Sequence, residues 1–262
     1  MCSVFIVSHP HHEPSYGWKR PGSRVTLGWN TSNSHKRKFI KRKGSYLDGT
    51  TVCNADIYFW GEYEAGSECT VVSRTRPKAI HDVLTPARGV SPLPQGALNT
   101  DPYVFGDHFK TICCGVRKNG GQYRPGDVIL FGKVDYNAMQ NKHLMYLDTV
   151  LVVKDEVPIN YSMKNTQYYK AGIEPTNGKF KSFYRGVPYS PGTTYFSFVP
   201  CRIDYTHDPL PILDLGKMSF NVSKRFRSWY APPIPFTNNI WNMIINAVIN
   251  SGWKLGIHVE RI

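Results

Sequence analysis

Short apolar or alternating runs, each closed off by Gly, Pro, Asn or Asp, recur along most of the chain. Their period-two spacing and their β-branched and aromatic content predict strands at Ser3–Ser8, Ala55–Tyr63, Cys69–Thr75, Thr111–Arg117, Asp127–Val134, Tyr146–Lys154 and Thr194–Arg202. The runs DVILFGKV and LDTVLVV are the clearest, and Pro125-Gly126-Asp127 is a turn signal feeding the first of them. One helix is predicted. Thr237 or Asn238 caps a segment in which Ile240, Ile244 and Val248 run beside Trp241, Ile245 and Ile249, two adjacent rows at i, i+4 spacing. Gly252 ends it, and WKLGIHVE returns as a strand. A shorter helix is expected near Val134–Leu144. Pro77–Pro102 and Val187–Gly192 read as long Pro/Gly-rich loops, the kind of segment on which function concentrates.

This pattern predicts an α+β protein that is mostly β: a twisted sheet or partly open barrel with long Pro/Gly-rich loops and a C-terminal amphipathic helix. Residues 1–262 are expected to form one mixed domain, with a helix–strand unit at about 237–262. Composition agrees. With 41% hydrophobic and 13% aromatic residues in 262, the chain has a core to bury and is not a disordered tail. No stretch approaches 18 consecutive apolar residues, so no membrane-spanning helix is expected. The start, MCSVFIVSHPHHEPS, lacks the basic lead and long apolar run of a signal peptide, and a cytoplasmic location is expected. The six cysteines have no CxxC spacing and read as free thiols.

Charge changes the picture most. Thirty-two Lys and Arg against 19 Asp and Glu leave a net charge of +13, and the excess is clustered. One cluster is Lys36, Arg37, Lys38, Lys41, Arg42 and Lys43. A second is Lys224, Arg225 and Arg227, followed by Trp229 and Tyr230. A third runs from Lys164 to Arg185 amid Tyr168, Tyr169, Phe180, Phe183 and Tyr184. Like charges this close call for a polyanion, because binding phosphates releases condensed counterions. Aromatic rings beside them offer faces on which unpaired bases stack. Each cluster taken singly also fits an ordinary solvated loop. The absence of a basic amphipathic helix or lipidation motif argues against a membrane surface as the partner.

Candidate chemistry lies in two segments. In Trp60-Gly61-Glu62-Tyr63-Glu64, at a strand's end, Glu62 and Glu64 share one face and suit a divalent metal or an acid/base pair, or simply salt-bridge the surplus cations. Between Asn99 and Lys110, Asp101 and Asp107 flank Tyr103 and Phe105, with His108 adjacent. These residues are expected to line one cleft with Glu62, or to serve as turn formers. His9, His11, His12 and Glu13 make a weak zinc pattern, and Cys2 a weak N-terminal nucleophile. No phosphate loop, GxSxG elbow or HExxH is present, which disfavours nucleoside-triphosphate and serine hydrolase chemistry.

The stretch Tyr123–Gly132, followed by Leu147–Val153, resembles the "PGD" turn and succeeding strands of PUA-like barrels, the group that includes the ASCH and EVE domains. The chain also looks like the nucleotide-modification-associated domains of DNA-modification and phage-defence loci. The resemblance implies a base-reading or base-modifying setting. The leading expectation is therefore a nucleic-acid- or nucleotide-binding protein. Lys36–Lys43 and Lys224–Arg227 would contact phosphate, and Trp60, Tyr103 and Phe105 would stack on bases. An alternative is an enzyme on nucleotides or nucleic acid using Glu62, Glu64, Asp101, Asp107 and His108, with a divalent metal as its cofactor if it has one. A third is a structural subunit with protein partners in a larger complex.

Overall fold

The structure, a computed structural model, describes residues 1–9, 12–28, 36–85, 100–112, 123–173, 182–205, 210–222 and 231–262. Two seven-stranded mixed sheets carry it, as the α+β, mostly β reading expects. The first has the order β13 (Ile234–Pro235), β1 (Ser3–Ser8), β8 (Val128–Asn137), β9 (Lys142–Pro158), β10 (Ser182–Gly186), β7 (Lys110–Thr111), with β12 (Ile212–Asp214) also on β9. The second runs β14 (Lys254–Val259), β11 (Val199–Arg202), β4 (Thr51–Glu62), β3 (Arg37–Asp48), β6 (Ala79–Leu84), β5 (Ser67–Val71), β2 (Arg24–Leu27). Strand β14 pairs with β3 as well as β11, which closes a hydrogen-bonded circuit β3–β4–β11–β14. The parallel pairs are β1–β8 and β3–β6. Val150 and Phe198 exchange two backbone hydrogen bonds of 2.9 Å and tie the sheets together.

Alternation explains why the apolar runs lack polar partners. On β8, Val128 and Leu130 face one core while Ile129 and Phe131 face another; on β9, Val150 and Val152 divide from Leu151 and Val153 in the same way. A strand covered on both faces needs apolar residues at every position. One core packs Ile129, Phe131 and Leu151 against Ile40, Ile57 and Phe59 of the second sheet. The other takes Val4, Ile6, Phe39 and Trp60, and is covered by helix α1 (Asn238–Asn250) through Ile240, Trp241, Ile244 and Val248. The helix begins where the sequence places it: Thr237 Oγ1 accepts from Ile240 N at 3.3 Å. The Pro125-Gly126 turn also stands. Gly126 sits at φ +89°, a conformation that suits glycine, and Asp127 Oδ2 accepts from Arg124 N at 2.7 Å.

Three expectations are corrected. Val134–Leu144 is no helix but the hairpin joining β8 to β9, its register running from Val134↔Met145 to Asn137↔Lys142. The long segment after Pro77 carries strand β6, and only 86–99 lie outside the described residues. The basic run from Arg37 is neither a loop nor wholly solvated. It opens a twelve-residue strand whose first four residues are buried. Of the strand expected at Thr111–Arg117, the described part is β7, and the rest lies outside the described residues.

Candidate functional site

The site begins with a fault in a strand pair. Register between β8 and β9 shifts at Gly132: Phe131 faces Thr149 and Gly132 faces Leu147, so Asp148 is an extra residue. Such bulges bend the strand and re-aim a side chain. Glycine is required here, because a Cβ at position 132 would run into the carbonyl oxygen of Tyr146. The Gly132 carbonyl also accepts from His9 N at 2.8 Å, which anchors the chain leaving β1. Asp148 is thereby aimed at the second sheet. There its Oδ2 lies 3.2 Å from Nε of Arg37, the first residue of β3.

Arg37 is entirely buried, and its Nη1 stands 3.9 Å from Oε2 of Glu62, the last residue of β4. The same carboxylate oxygen is 3.1 Å from His9 Nδ1. Glu62 Oε1 accepts from Asp101 N at 3.3 Å, and Thr100 Oγ1 donates to the Glu62 carbonyl. Asp101 Oδ1 in turn accepts from Thr111 Oγ1 at 2.6 Å and from Ile112 N at 3.3 Å. Five ionisable groups from both sheets thus meet in the interior. Burial pushes the Asp148 carboxyl up to about 6, with Glu62 adding to the rise and Arg37 opposing it. Burial raises Asp101 as well; Glu62 contributes, while Thr111 hydrogen-bonds the charged form and opposes the rise.

The segment beyond Asp101 connects this network to the surface. Tyr103 and Lys110 exchange backbone hydrogen bonds of 2.8 Å, making 101–112 a hairpin-like strap, and Gly106 N donates to Val259 O of β14 at 2.7 Å. The strap's tip lines a cleft of about 480 Å³ together with Met163, Thr166, Gln167, Tyr168 and Arg261. Its floor is aromatic: Tyr103 meets Phe105 and Tyr168 edge-on, each at 5.4 Å between centroids. Lys110 Nζ lies 5.3 Å from the Tyr103 ring centre and 5.5 Å from that of Tyr168, and donates to the His108 carbonyl at 3.0 Å. Burial, with Arg261 nearby, lowers the Lys110 ammonium to about 8. At the rim Arg261 Nη2 donates to Asp107 Oδ2 at 2.8 Å, both side chains being largely exposed.

The expected site residues therefore separate. Glu62 and Asp101 come together, but inside the protein. Asp107 and His108 line the cleft, and Glu64 is buried elsewhere, within electrostatic reach of Lys38. Trp60 packs against Phe39 in the core, so it offers no stacking face, and Tyr103 and Phe105 are a buried floor rather than free platforms. Arg37 and Lys38 cannot reach a phosphate backbone. Lys38 Nζ donates to Ala65 O at 2.6 Å, sits 5.0 Å from the Tyr63 ring centre, and is lowered to about 7 by burial. Lys41 pairs with Asp56 and Arg42 with Glu260, while Lys43 is exposed. Lys36 is the parallel bridge partner of His12. Lys224, Arg225 and Arg227 lie outside the described residues, as does His11. The remaining members of the histidine pattern diverge: His9 turns to Glu62, and Glu13 accepts from Lys78 N at 2.7 Å. Among the described residues no three His, Cys, Asp or Glu side chains are grouped to hold a metal ion.

His9, Asp148, Lys110 and Arg261 were not singled out by the sequence as parts of one site. A glycine in the middle of the apolar run DVILFGKV is the signal that marks the bulge, and hence Asp148. Nothing local marks Arg261, which reaches the cleft only because β14 holds the strap. Compared with known proteins, the chain matches no family model, no curated protein sequence and no solved structure.

Proposed function

We propose that the protein binds nucleic acid or nucleotide, with the cleft at the tip of the 101–112 strap as its site. The observation that carries this reading is the pairing of two cations, Lys110 and Arg261, with an aromatic floor in one cleft, on a chain of net charge +13. A phosphate takes the ammonium and guanidinium, and the base lies against the edges of Tyr103, Phe105 and Tyr168. Gln167, Thr166 and Asp107 supply polar groups at the same mouth, suited to a base edge. The likeness of the Tyr123–Gly132 turn and strand to PUA-like barrels supports the same reading, with an unpaired or extruded base as the recognised element. In this reading the buried Arg37–Glu62–Asp148 network is scaffolding: it fixes the strap's base at Asp101. An acid/base role for Glu62, only 2% exposed, would require that wall to open.

The test is equilibrium binding of a fluorescein-labelled (dT)20 and of its RNA counterpart between 50 and 300 mM salt. The logarithm of affinity should fall linearly with the logarithm of salt, with a slope of roughly −0.7 per phosphate contacted. Lys110→Gln and Arg261→Gln should each weaken binding and shallow that slope. Failure of the wild-type protein to bind either strand at 50 mM salt would overturn the proposal.

A further inference from the structure

Among the described residues, exposed positive charge also gathers outside the clusters seen in the sequence. Tyr16 is buried, and its hydroxyl lies 2.9 Å from His81 Nε2. Six residues on, Gly22 N donates to Val71 O at 2.8 Å and Val71 N to Ser23 O at 2.9 Å. The intervening loop is therefore pinned at both ends, and it lifts Trp18, Lys19 and Arg20 into solvent, with Trp18 fully exposed. Beside it runs the turn between β5 and β6. Val72 N and Ser73 N both donate to Lys78 O, at 2.8 and 3.2 Å, and the turn they close carries Arg74 and Arg76 on its exposed side.

Residues 12–23 and 72–79 together hold Lys19, Arg20, Arg74, Arg76 and Lys78 against one carboxylate, Glu13. That carboxylate is turned inward. Its side chain is 1% exposed, it accepts from Lys78 N, and Arg76 Nε lies 4.0 Å away. The positive field extends further: His12, which is exposed, is held below the usual imidazole range by partial burial and then by Lys36, Arg76 and Lys133. No window of the sequence shows this patch, because its two segments lie nearly fifty residues apart and meet through backbone hydrogen bonds and the Glu13 side chain.

A cationic surface beside a lone exposed indole specifies its ligand. Phosphates satisfy the cations, and the indole adds a flat apolar face that a free inorganic anion cannot use. A duplex hides its base faces, whereas a single strand presents them. Trp18 has only Gly17, Lys19, Arg20 and Pro21 as neighbours in the loop, without the further large apolar anchors an interfacial membrane segment carries. We infer that Trp18, Lys19, Arg20, Arg74 and Arg76 form a second contact for single-stranded nucleic acid, the indole stacked on an unpaired base and the cations on flanking phosphates. This rests on the nucleic-acid reading of the cleft and extends it from a single nucleotide to a strand.

The experiment compares wild type, Trp18→Ala, Trp18→Phe and the triple variant Lys19→Gln/Arg20→Gln/Arg74→Gln. Two probes are used, fluorescein-labelled (dT)20 across a salt series and uridine 5′-monophosphate. Trp18→Ala should weaken (dT)20 binding about 5- to 150-fold, with Trp18→Phe in between, as expected for loss of one base stack. The triple variant should shallow the salt slope by about 2, while every variant binds the mononucleotide as wild type does. Wild-type binding of (dT)20 with variants unchanged in affinity and slope overturns this second contact and leaves the cleft reading intact. Loss of anionic phosphatidylserine vesicle binding in Trp18→Ala, with (dT)20 binding unaltered, also overturns it. If the wild-type protein binds neither probe, the cleft reading itself has failed.

Discussion

Replacing Arg37 with Met tests the interior network most sharply. The side chains of Arg37 and Asp148 are fully buried and that of Glu62 is 1% exposed, so removing the guanidinium leaves two carboxylates without their cation. Breaking a buried pair in this way costs about 3–5 kcal/mol, which for a chain of this size corresponds to a drop in Tm on the order of 10 °C. The loss should depend on pH. The Asp148 carboxyl stands at about 6 in the folded protein against 3.8 in its ordinary range, so the native state holds a proton that the unfolded chain has already released. Stability from this group falls as pH rises from about 4 to 6 and is level above that. Without Arg37 to oppose it, the carboxyl rises further and the window widens upward. Thermal unfolding followed by circular dichroism should therefore show a deficit in Arg37→Met that is larger at pH 8 than at pH 5. Adding Asp148→Asn should recover part of it. A variant as stable as wild type, or a deficit equal at both pH values, would show that Arg37 does not offset the buried carboxylates.

Other outcomes follow from the same geometry. Lys38→Met removes a buried cation that touches no solvent, so (dT)20 affinity and its salt slope should stay at wild-type values; a shallower slope would place Lys38 at the interface after all. Nucleotide affinity should decline as pH rises from 7 to 9, because Lys110 loses its proton near 8, and a flat profile measured by calorimetry would remove that ammonium from the site. Gly132→Ala forces a methyl group onto the Tyr146 carbonyl and should cost roughly 2–4 kcal/mol in urea unfolding, whereas a neutral result would mean that the bulge relaxes freely. Thr237→Ala should cost about 1 kcal/mol by loss of the helix cap, and an unchanged urea midpoint would show the cap to be idle.

Much of the frame was legible where local chemistry and tertiary environment agree. Strand β1 runs over the predicted Ser3–Ser8, and the helix starts at its capping threonine, because a periodic apolar face and a cap are local properties. Strand β3 was not legible: RKFIKRK carries charge on both faces of the strand, and hydropathy hides a central strand whose Arg37 and Arg42 pair with Asp148 and Glu260, far away in sequence. The β8–β9 hairpin was read as a helix because Val134–Leu144 is too short to separate the two periods, although its polar centre from Asn137 to Asn141 fits a turn. Glu62 and Asp101 do lie within hydrogen-bond reach, but Glu62 is buried there instead of lining the cleft the sequence suggested. The basic patch around Trp18 depends on pairing between residues near 22 and 71, a non-local fact no window contains.

The central claim is where a strand is bound. Photocrosslinking with an oligonucleotide carrying 4-thiouridine, followed by mass spectrometry of the tryptic peptides, reads this directly. Adducts are expected on peptides spanning the strap tip near Tyr103–Lys110 and the Tyr168 segment, competed away by unlabelled (dT)20. Efficient crosslinking confined to peptides outside the strap, the Tyr168 segment and the Trp18 loop would contradict it.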